Sequence, residues 1–214
     1  MKIIDLSGAI ESGLWNYGPP NPNVDIKLLA SLPDDGFEVA SLTMSILTGS
    51  YLETGRHLVA GRPALDEMPL DRFISTATVL KLPKMMLEPI TLDDLERNKS
   101  RIVANPTLII GTGWGSEWNS KDYLTKSPFF TVEAMEWLAD SPVNLLGADI
   151  PVYNDPRGGK VNVLDLYYRK TQNMIVAPLV NIDSITRPEV KLLTIPVKLK
   201  NQCAAPCRIL ALQE

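Results

Sequence analysis

The stretch Leu47-Thr48-Gly49-Ser50-Tyr51-Leu52-Glu53-Thr54-Gly55-Arg56-His57 contains the only histidine among the 214 residues of this chain. It follows a strand-like run over Glu38–Ile46 and precedes Gly61-Arg62-Pro63, which is a turn signal. We therefore predict that the stretch is a loop that leaves a strand. Loops of this kind often hold functional side chains, because a rigid scaffold fixes their position.

More strands than helices are predicted on either side of this stretch. A hairpin turn at Pro33-Asp34-Asp35-Gly36 joins two of the strands, and the capping residues Thr91 and Thr131 and the run from Val161 each mark a helix. The predicted strands cover Met1–Ser7, Val24–Leu32, Glu38–Ile46, Thr76–Leu82, Thr107–Gly111, Val143–Ile150, Met174–Leu179, Lys191–Leu199 and Arg208–Leu212. A hairpin followed by β-α-β alternation predicts one α/β domain over residues 1–214, with antiparallel and parallel parts in its sheet.

The composition argues against several classes of protein. The net charge is −4 and no run of Lys and Arg occurs, so we expect no nucleic-acid partner. No window approaches the ~18 apolar residues of a membrane span, and Asp5 lies where a signal peptide would have its apolar core. The only cysteines, Cys203 and Cys207, are too few for a disulfide scaffold. We therefore expect a cytoplasmic protein with two inert thiols and no membrane partner.

Four segments, in the order of the chain, resemble the cyclase family that includes bacterial kynurenine formamidase. They are Ile4-Asp5-Leu6-Ser7, Gly61-Arg62-Pro63-Ala64-Leu65-Asp66-Glu67-Met68-Pro69-Leu70, Gly111-Thr112-Gly113-Trp114 and Gly147-Ala148-Asp149-Ile150-Pro151. The resemblance covers nearly the whole chain. It implies a compact mixed-sheet β/β/α domain that assembles as a homodimer or homotetramer.

The signature of that family, His-x-Gly-Thr-His-x-Asp-x-Pro-x-His, aligns with Leu47–His57. Leu47 and Tyr51 stand where the family has two metal-binding histidines, and Glu53 replaces a metal-binding aspartate. Two further family ligands, a histidine and a glutamate, fall near Asp165 and Ala177. Catalytic zinc sites use about three protein ligands, and a phenol is a poor zinc ligand at neutral pH. We therefore predict no tightly bound transition metal and no cofactor.

The position of the catalytic histidine of the family is kept, as His57, and Gly49 and Ser50 also follow the signature closely. Without the metal, the family's attack by metal-activated water is lost. The resemblance places Glu53 and His57 in one pocket. We predict that His57, Glu53 and Tyr51 form a metal-free acid–base site, with Tyr51 donating to an oxyanion.

Four more residues are candidates for substrate binding: Trp15, Tyr17, Ser50 and Asp165. Trp15 and Tyr17 lie on a Pro-rich loop and resemble aromatic residues that cover the family's pocket. Structural roles stay open at this point for several of these positions. The alternatives are an ion pair of Glu53 with Arg56 or Arg62, a space-filling role of Tyr51 in place of the missing metal, and packing of Trp15 and Tyr17 on a neighbouring subunit.

Three functions are compatible with this pattern. The first is an enzyme that acts on a small carbonyl compound by metal-independent ring closure, dehydration or isomerisation. The second is a non-catalytic relative used for binding or scaffolding. The third is an amidohydrolase resembling kynurenine formamidase. We favour the first, because His57 is kept beside two residues with usable chemistry.

Overall fold

A closed ring of seven strands forms the centre of the computed structural model, which describes residues 1–214. The strands are β1 Lys2–Asp5, β2 Asp25–Ala30, β3 Val39–Thr43, β4 Tyr51–Thr54, β5 Ile74–Lys81, β6 Pro89–Ile90, β7 Thr107–Gly111, β8 Phe129–Phe130, β9 Leu145–Ala148, β10 Met174–Ala177, β11 Glu189–Pro196 and β12 Ala204–Gln213. The helices are α1 Leu32–Asp35, α2 Leu92–Glu96, α3 Lys99–Ile102, α4 Val132–Ala139 and α5 Val163–Lys170.

The order of the ring is β4-β12-β11-β5-β7-β9-β10, and β10 pairs with β4 to close it. Strands β5, β7, β9 and β10 run parallel, and the other contacts in the ring are antiparallel. β1 pairs with the end of β12, while β2 with β3 and β6 with β8 form separate two-stranded sheets. The predicted mixed α/β fold is therefore confirmed.

Alternation along the strands divides the apolar side chains into two cores. Successive side chains of a strand point to opposite faces. In β7, Ile109 therefore contributes to the core inside the ring, whereas Leu108 and Ile110 contribute to an outer core beneath the helices. Leu138 of α4 and Tyr167 of α5 belong to that outer core. The helices thus form a layer against one side of the ring.

The helix starts follow from capping residues that the sequence predicted. Thr91 accepts a hydrogen bond from the N–H of Asp94, whose carboxylate accepts one from the N–H of Thr91 at 2.8 Å. Thr131 caps α4 by accepting from the N–H of Ala134. These bonds satisfy N–H groups that have no partner within the helix. No helix of the structure has the length and apolar character needed to cross a bilayer.

The prediction that Leu47–His57 is a loop was wrong for its centre. Tyr51–Thr54 is the strand β4, with β10 on one edge and β12 on the other. Four residues with two polar side chains give no strong strand signal, and the pairing partners lie far away in the sequence. The preceding hairpin is also shorter than predicted, since β3 ends at Thr43 and its turn contains the one-turn helix α1.

Candidate active site

A cavity of about 260 Å³ lies outside the ring, between β4, the segment that follows β9 and the start of α5. Larger surface depressions, up to about 500 Å³, contain no histidine. The residues that line the 260 Å³ cavity are Tyr17, Asn21, Leu47, Tyr51, Glu53, His57, Pro151, Val152, Tyr153, Asn154 and Leu164. Four residues that the sequence predicted for the site, Tyr17, Tyr51, Glu53 and His57, therefore line one cavity.

Strand alternation explains why β4 supplies two of these side chains. Tyr51 and Glu53 are two residues apart and share the outer face of the strand, whereas Leu52 between them packs inside the ring. The backbone of Glu53 is paired on both edges, opposite Ile175 of β10 and Ala204 of β12. Both side chains consequently start from a rigid backbone.

Glu53 is a buried carboxyl group with no ion-pair partner. Its residue is 3% exposed, and its Oε1 accepts a hydrogen bond of 2.8 Å from the hydroxyl of Tyr168. Burial raises the pKa of Glu53 from its ordinary value of 4.5 to about 7, although the bond from Tyr168 acts in the opposite direction. The alternative of an ion pair between Glu53 and Arg62 is wrong, because the Arg62 guanidinium donates to the carbonyl oxygens of Tyr168 and Arg169. Arg56 forms no ion pair with Glu53 either.

The close approach of Tyr168 depends on Gly55. A Cβ at this position would lie 3.3 Å from Cδ1 of the Tyr168 ring, tighter than an ordinary van der Waals contact. Gly55 stands where the family signature has proline, and it begins a short 3₁₀ helix over Gly55–His57. The missing side chain therefore gives the Tyr168 ring the room it needs to reach Glu53.

His57 lies at the exposed rim of the cavity, at the end of that 3₁₀ helix. Its Nδ1 is 4.0 Å from Sγ of Cys203. Partial burial lowers the pKa of His57, so the imidazole is neutral at pH 7. Burial also raises the pKa of the Cys203 thiol, so this neighbour is neutral as well. The ring can accept a proton at neutral pH.

The hydroxyls of Tyr17 and Tyr51 lie 3.1 Å apart, and the Tyr17 hydroxyl donates to the carbonyl oxygen of Pro151 at 3.0 Å. Burial raises the pKa of both phenols well above the ordinary value of 10. Both are therefore neutral hydrogen-bonding groups. Together they connect the Pro-rich loop, β4 and the segment after β9.

The structure does not bring Ser50, Asp165 or Trp15 to the cavity. Ser50 is buried beside the N-terminal segment, where its hydroxyl donates to the carbonyl of Pro178 at 2.6 Å and accepts from the N–H of Gly8. The carboxylate of Asp165 pairs with Arg169 one helical turn later, at 2.7 Å. Trp15 packs between Tyr17, Trp118 and Tyr123. These side chains are occupied by structural contacts.

Sequence reasoning missed Tyr168 and Tyr153. The helix prediction over 161–170 covered Tyr168, but nothing in its pattern marked that hydroxyl as a partner of Glu53. Tyr153 lies four residues beyond Asp149 on the segment that leaves β9. Its place was foreseeable, because ligands often bind at the carboxyl ends of parallel strands.

The side chains around the cavity do not fit a transition metal. They offer one carboxyl group, one imidazole and neutral phenols, and no three His, Cys, Asp or Glu side chains converge. A catalytic zinc ion is bound by about three protein ligands, each an ionised oxygen or sulfur atom or a neutral imidazole nitrogen. Leu47 lies on the cavity wall with nothing to coordinate, and Ala177 pairs with Tyr51 in the sheet.

Comparisons with known proteins identify relatives along most of the chain. The Cyclase family model matches residues 4–154. The kynurenine formamidase of Bordetella petrii is 25% identical over 179 residues, which are 82% of this chain and 81% of that protein. The kynurenine formamidase of Bordetella pertussis is 24% identical over 179 residues, again 82% of this chain and 81% of that protein.

Solved structures show the same fold. Isatin hydrolase A from Labrenzia aggregata, bound to benzyl benzoate, has a TM-score of 0.83 at 20% identity, over 98% of this chain and 93% of that chain. Isatin hydrolase A from Ralstonia solanacearum has a TM-score of 0.81 at 17% identity, over 98% of this chain and 91% of that chain. The fold predicted from the sequence resemblance is thereby confirmed.

Proposed function

The chain belongs to the Cyclase family, and from this premise we propose that it is an enzyme acting on a small carbonyl compound by metal-independent acid–base catalysis. The observation that carries the proposal is Glu53, a buried carboxyl group on the wall of a cavity, with a pKa of about 7. A group with this pKa is present in both protonation states at neutral pH. It can therefore give or take a proton during the reaction.

Glu53 and His57 divide the proton transfers in this proposal. The carboxylate form of Glu53 removes a proton from the attacking group of the substrate as that group bonds to the carbonyl carbon and the C=O π bond breaks. The carbonyl oxygen then takes up a proton that His57, at the rim, passes from solvent. Tyr51 and Tyr17 hold the wall in place through their shared hydrogen bond. Ring closure, dehydration and isomerisation need only such transfers.

An amide hydrolysis is the second candidate, because the relatives are named kynurenine formamidase and isatin hydrolase. Here Glu53 would remove a proton from water as the oxygen attacks the amide carbon. The protonated Glu53 would then give that proton to the departing nitrogen. This reaction is harder without a metal, because no Lewis acid polarises the carbonyl group.

The test is a turnover screen after metal removal by a chelator. Isatin, N-formylkynurenine and a panel of lactones, lactams and keto acids are incubated with the stripped protein, and metal content is measured in the same sample. We expect turnover without metal that is lost in Glu53→Gln and strongly reduced in His57→Ala. Turnover that returns only with added zinc or manganese contradicts the proposal. No turnover of any compound favours the non-catalytic relative.

Several expectations about the surroundings accompany this proposal. We propose that residues 1–214 act as one domain, since β1 and β12 of the two chain ends pair with each other. We propose a small molecule as the partner and the cytoplasm as the compartment. Both cysteines are free thiols, which supports a reducing environment.

A further inference from the structure

Three phenols at or near the cavity already donate their hydroxyl protons to other groups of the protein. A phenol has one O–H proton to donate. Tyr17 donates its proton to the Pro151 carbonyl, which can only accept, so the bond between the two phenols requires Tyr51 to donate to Tyr17. Tyr168 donates its proton to Glu53. All three protons are therefore used within the protein, including that of Tyr51, which the sequence assigned to an oxyanion.

Tyr153 also lines the cavity, but its hydroxyl proton is not used within the protein. Its residue is 2% exposed and lines the cavity, and its hydroxyl has no hydrogen-bond partner in the protein. Burial raises the pKa of Tyr153 well above 10, with Glu53 as the first charged neighbour to add to that effect. The phenol thus keeps its proton at all ordinary pH values. A buried donor without a partner destabilises the protein by roughly 1–3 kcal/mol, so it is a poor structural choice.

We infer that the Tyr153 hydroxyl donates a hydrogen bond to the carbonyl oxygen of the substrate. The inference rests on the proposed function and adds a substrate class to it. Leu47, Val152 and Leu164 give the cavity an apolar part, beside the two amides of Asn21 and Asn154. The fitting ligand is therefore a small ring compound with one carbonyl oxygen aimed at Tyr153. The hydroxyl is shielded from bulk water, where such a bond is stronger than on the surface.

The experiment compares two probes that differ in the carbonyl group. Binding of oxindole and of indole is measured by calorimetry on wild type, Tyr153→Phe and the matched variant Tyr123→Phe, whose hydroxyl is also buried without a partner but does not line the cavity. We expect wild type to bind oxindole about tenfold more tightly than indole, the size of one hydrogen bond. Tyr153→Phe should abolish that preference, and Tyr123→Phe should keep it. Equal binding of both probes by wild type overturns the inference.

Thermal unfolding of the same variants gives a second readout. If the Tyr153 hydroxyl serves a ligand, its removal should leave the melting temperature unchanged or raise it, because an unpaired buried donor is lost. A clear decrease would show a structural role and would overturn the inference. Oxindole preference without any turnover of carbonyl compounds would uphold the Tyr153 assignment while contradicting the proposed function, so the two failures are distinguishable.

Discussion

The Tyr168 hydroxyl donates a 2.8 Å hydrogen bond to Oε1 of Glu53, a residue 115 positions earlier in the chain. Glu53 belongs to β4 in the wall of the ring, and Tyr168 belongs to α5 in the outer layer. The bond joins these two layers where a metal centre would be expected from the family resemblance. It also opposes the effect of burial on the pKa of Glu53. Tyr168 therefore keeps the pKa of the proposed acid–base group lower than burial alone would set it.

Tyr168→Phe should raise the pKa of Glu53 above its value of about 7. The substitution removes a hydrogen bond that favours the carboxylate form, while the burial of Glu53 is kept. Carbon-13 NMR of labelled glutamate side chains measures the titration directly, with Glu53→Gln used to assign the signal. A pKa that falls or stays the same would contradict the role of Tyr168. Tyr167→Phe is the matched control, because that hydroxyl contacts Asn173 instead.

Glu53 should make the protein less stable as the pH rises from about 4.5 to 7. In this window the unfolded chain releases the Glu53 proton, while the folded protein still binds it, because the folded pKa is raised. The unfolded state binds fewer protons, so the free energy of unfolding falls by ~1.4 kcal/mol per pH unit, roughly 3 kcal/mol in total.

Urea unfolding at a series of pH values measures this slope. Glu53→Gln removes the titrating group, so it should flatten the profile and be the more stable protein near pH 8. An equal slope in wild type and Glu53→Gln would show that Glu53 titrates at its ordinary pKa. Other carboxyl groups, such as Asp94 beside Lys84, contribute equally to both proteins and cancel in the comparison.

Gly55→Ala should destabilise the fold by about 1 kcal/mol and weaken the bond to Glu53. The added Cβ would lie 3.3 Å from Cδ1 of the Tyr168 ring, which must shift to make room. Urea unfolding checks the stability and NMR titration checks the pKa of Glu53. Gly159→Ala is the matched control, since its nearest neighbour would be 3.9 Å away, and it should behave as wild type. An unchanged Gly55→Ala would contradict the tight contact.

Local signals in the sequence predicted much of this fold. Thr91 and Thr131 cap helices because their hydroxyls act within three residues. Thr107–Gly111 is a strand buried on both faces, and its continuous apolar run is enough to identify it. Strand β4 was missed because its two partner strands, β10 and β12, lie more than 100 residues later. Pairing over such distances leaves no trace in four residues.

The candidate site, like the fold, could be predicted from the sequence only in part. The family resemblance was sufficient to place Tyr51, Glu53 and His57 in one site, and all three line the cavity. Asp165 was assigned by alignment alone, and its i, i+4 partner Arg169 holds it away from the cavity. The free hydroxyl of Tyr153 depends on the hydrogen bonds of all its neighbours. Only the folded arrangement reveals it.

The pH dependence of turnover by metal-stripped protein tests the central claim most directly. With any carbonyl compound that the protein converts, the account predicts an inflection near pH 7 that moves upward in Tyr168→Phe and disappears in Glu53→Gln. The rate should not change when zinc or manganese is added. A profile that ignores both substitutions, or a rate that rises in proportion to added metal, would contradict the account.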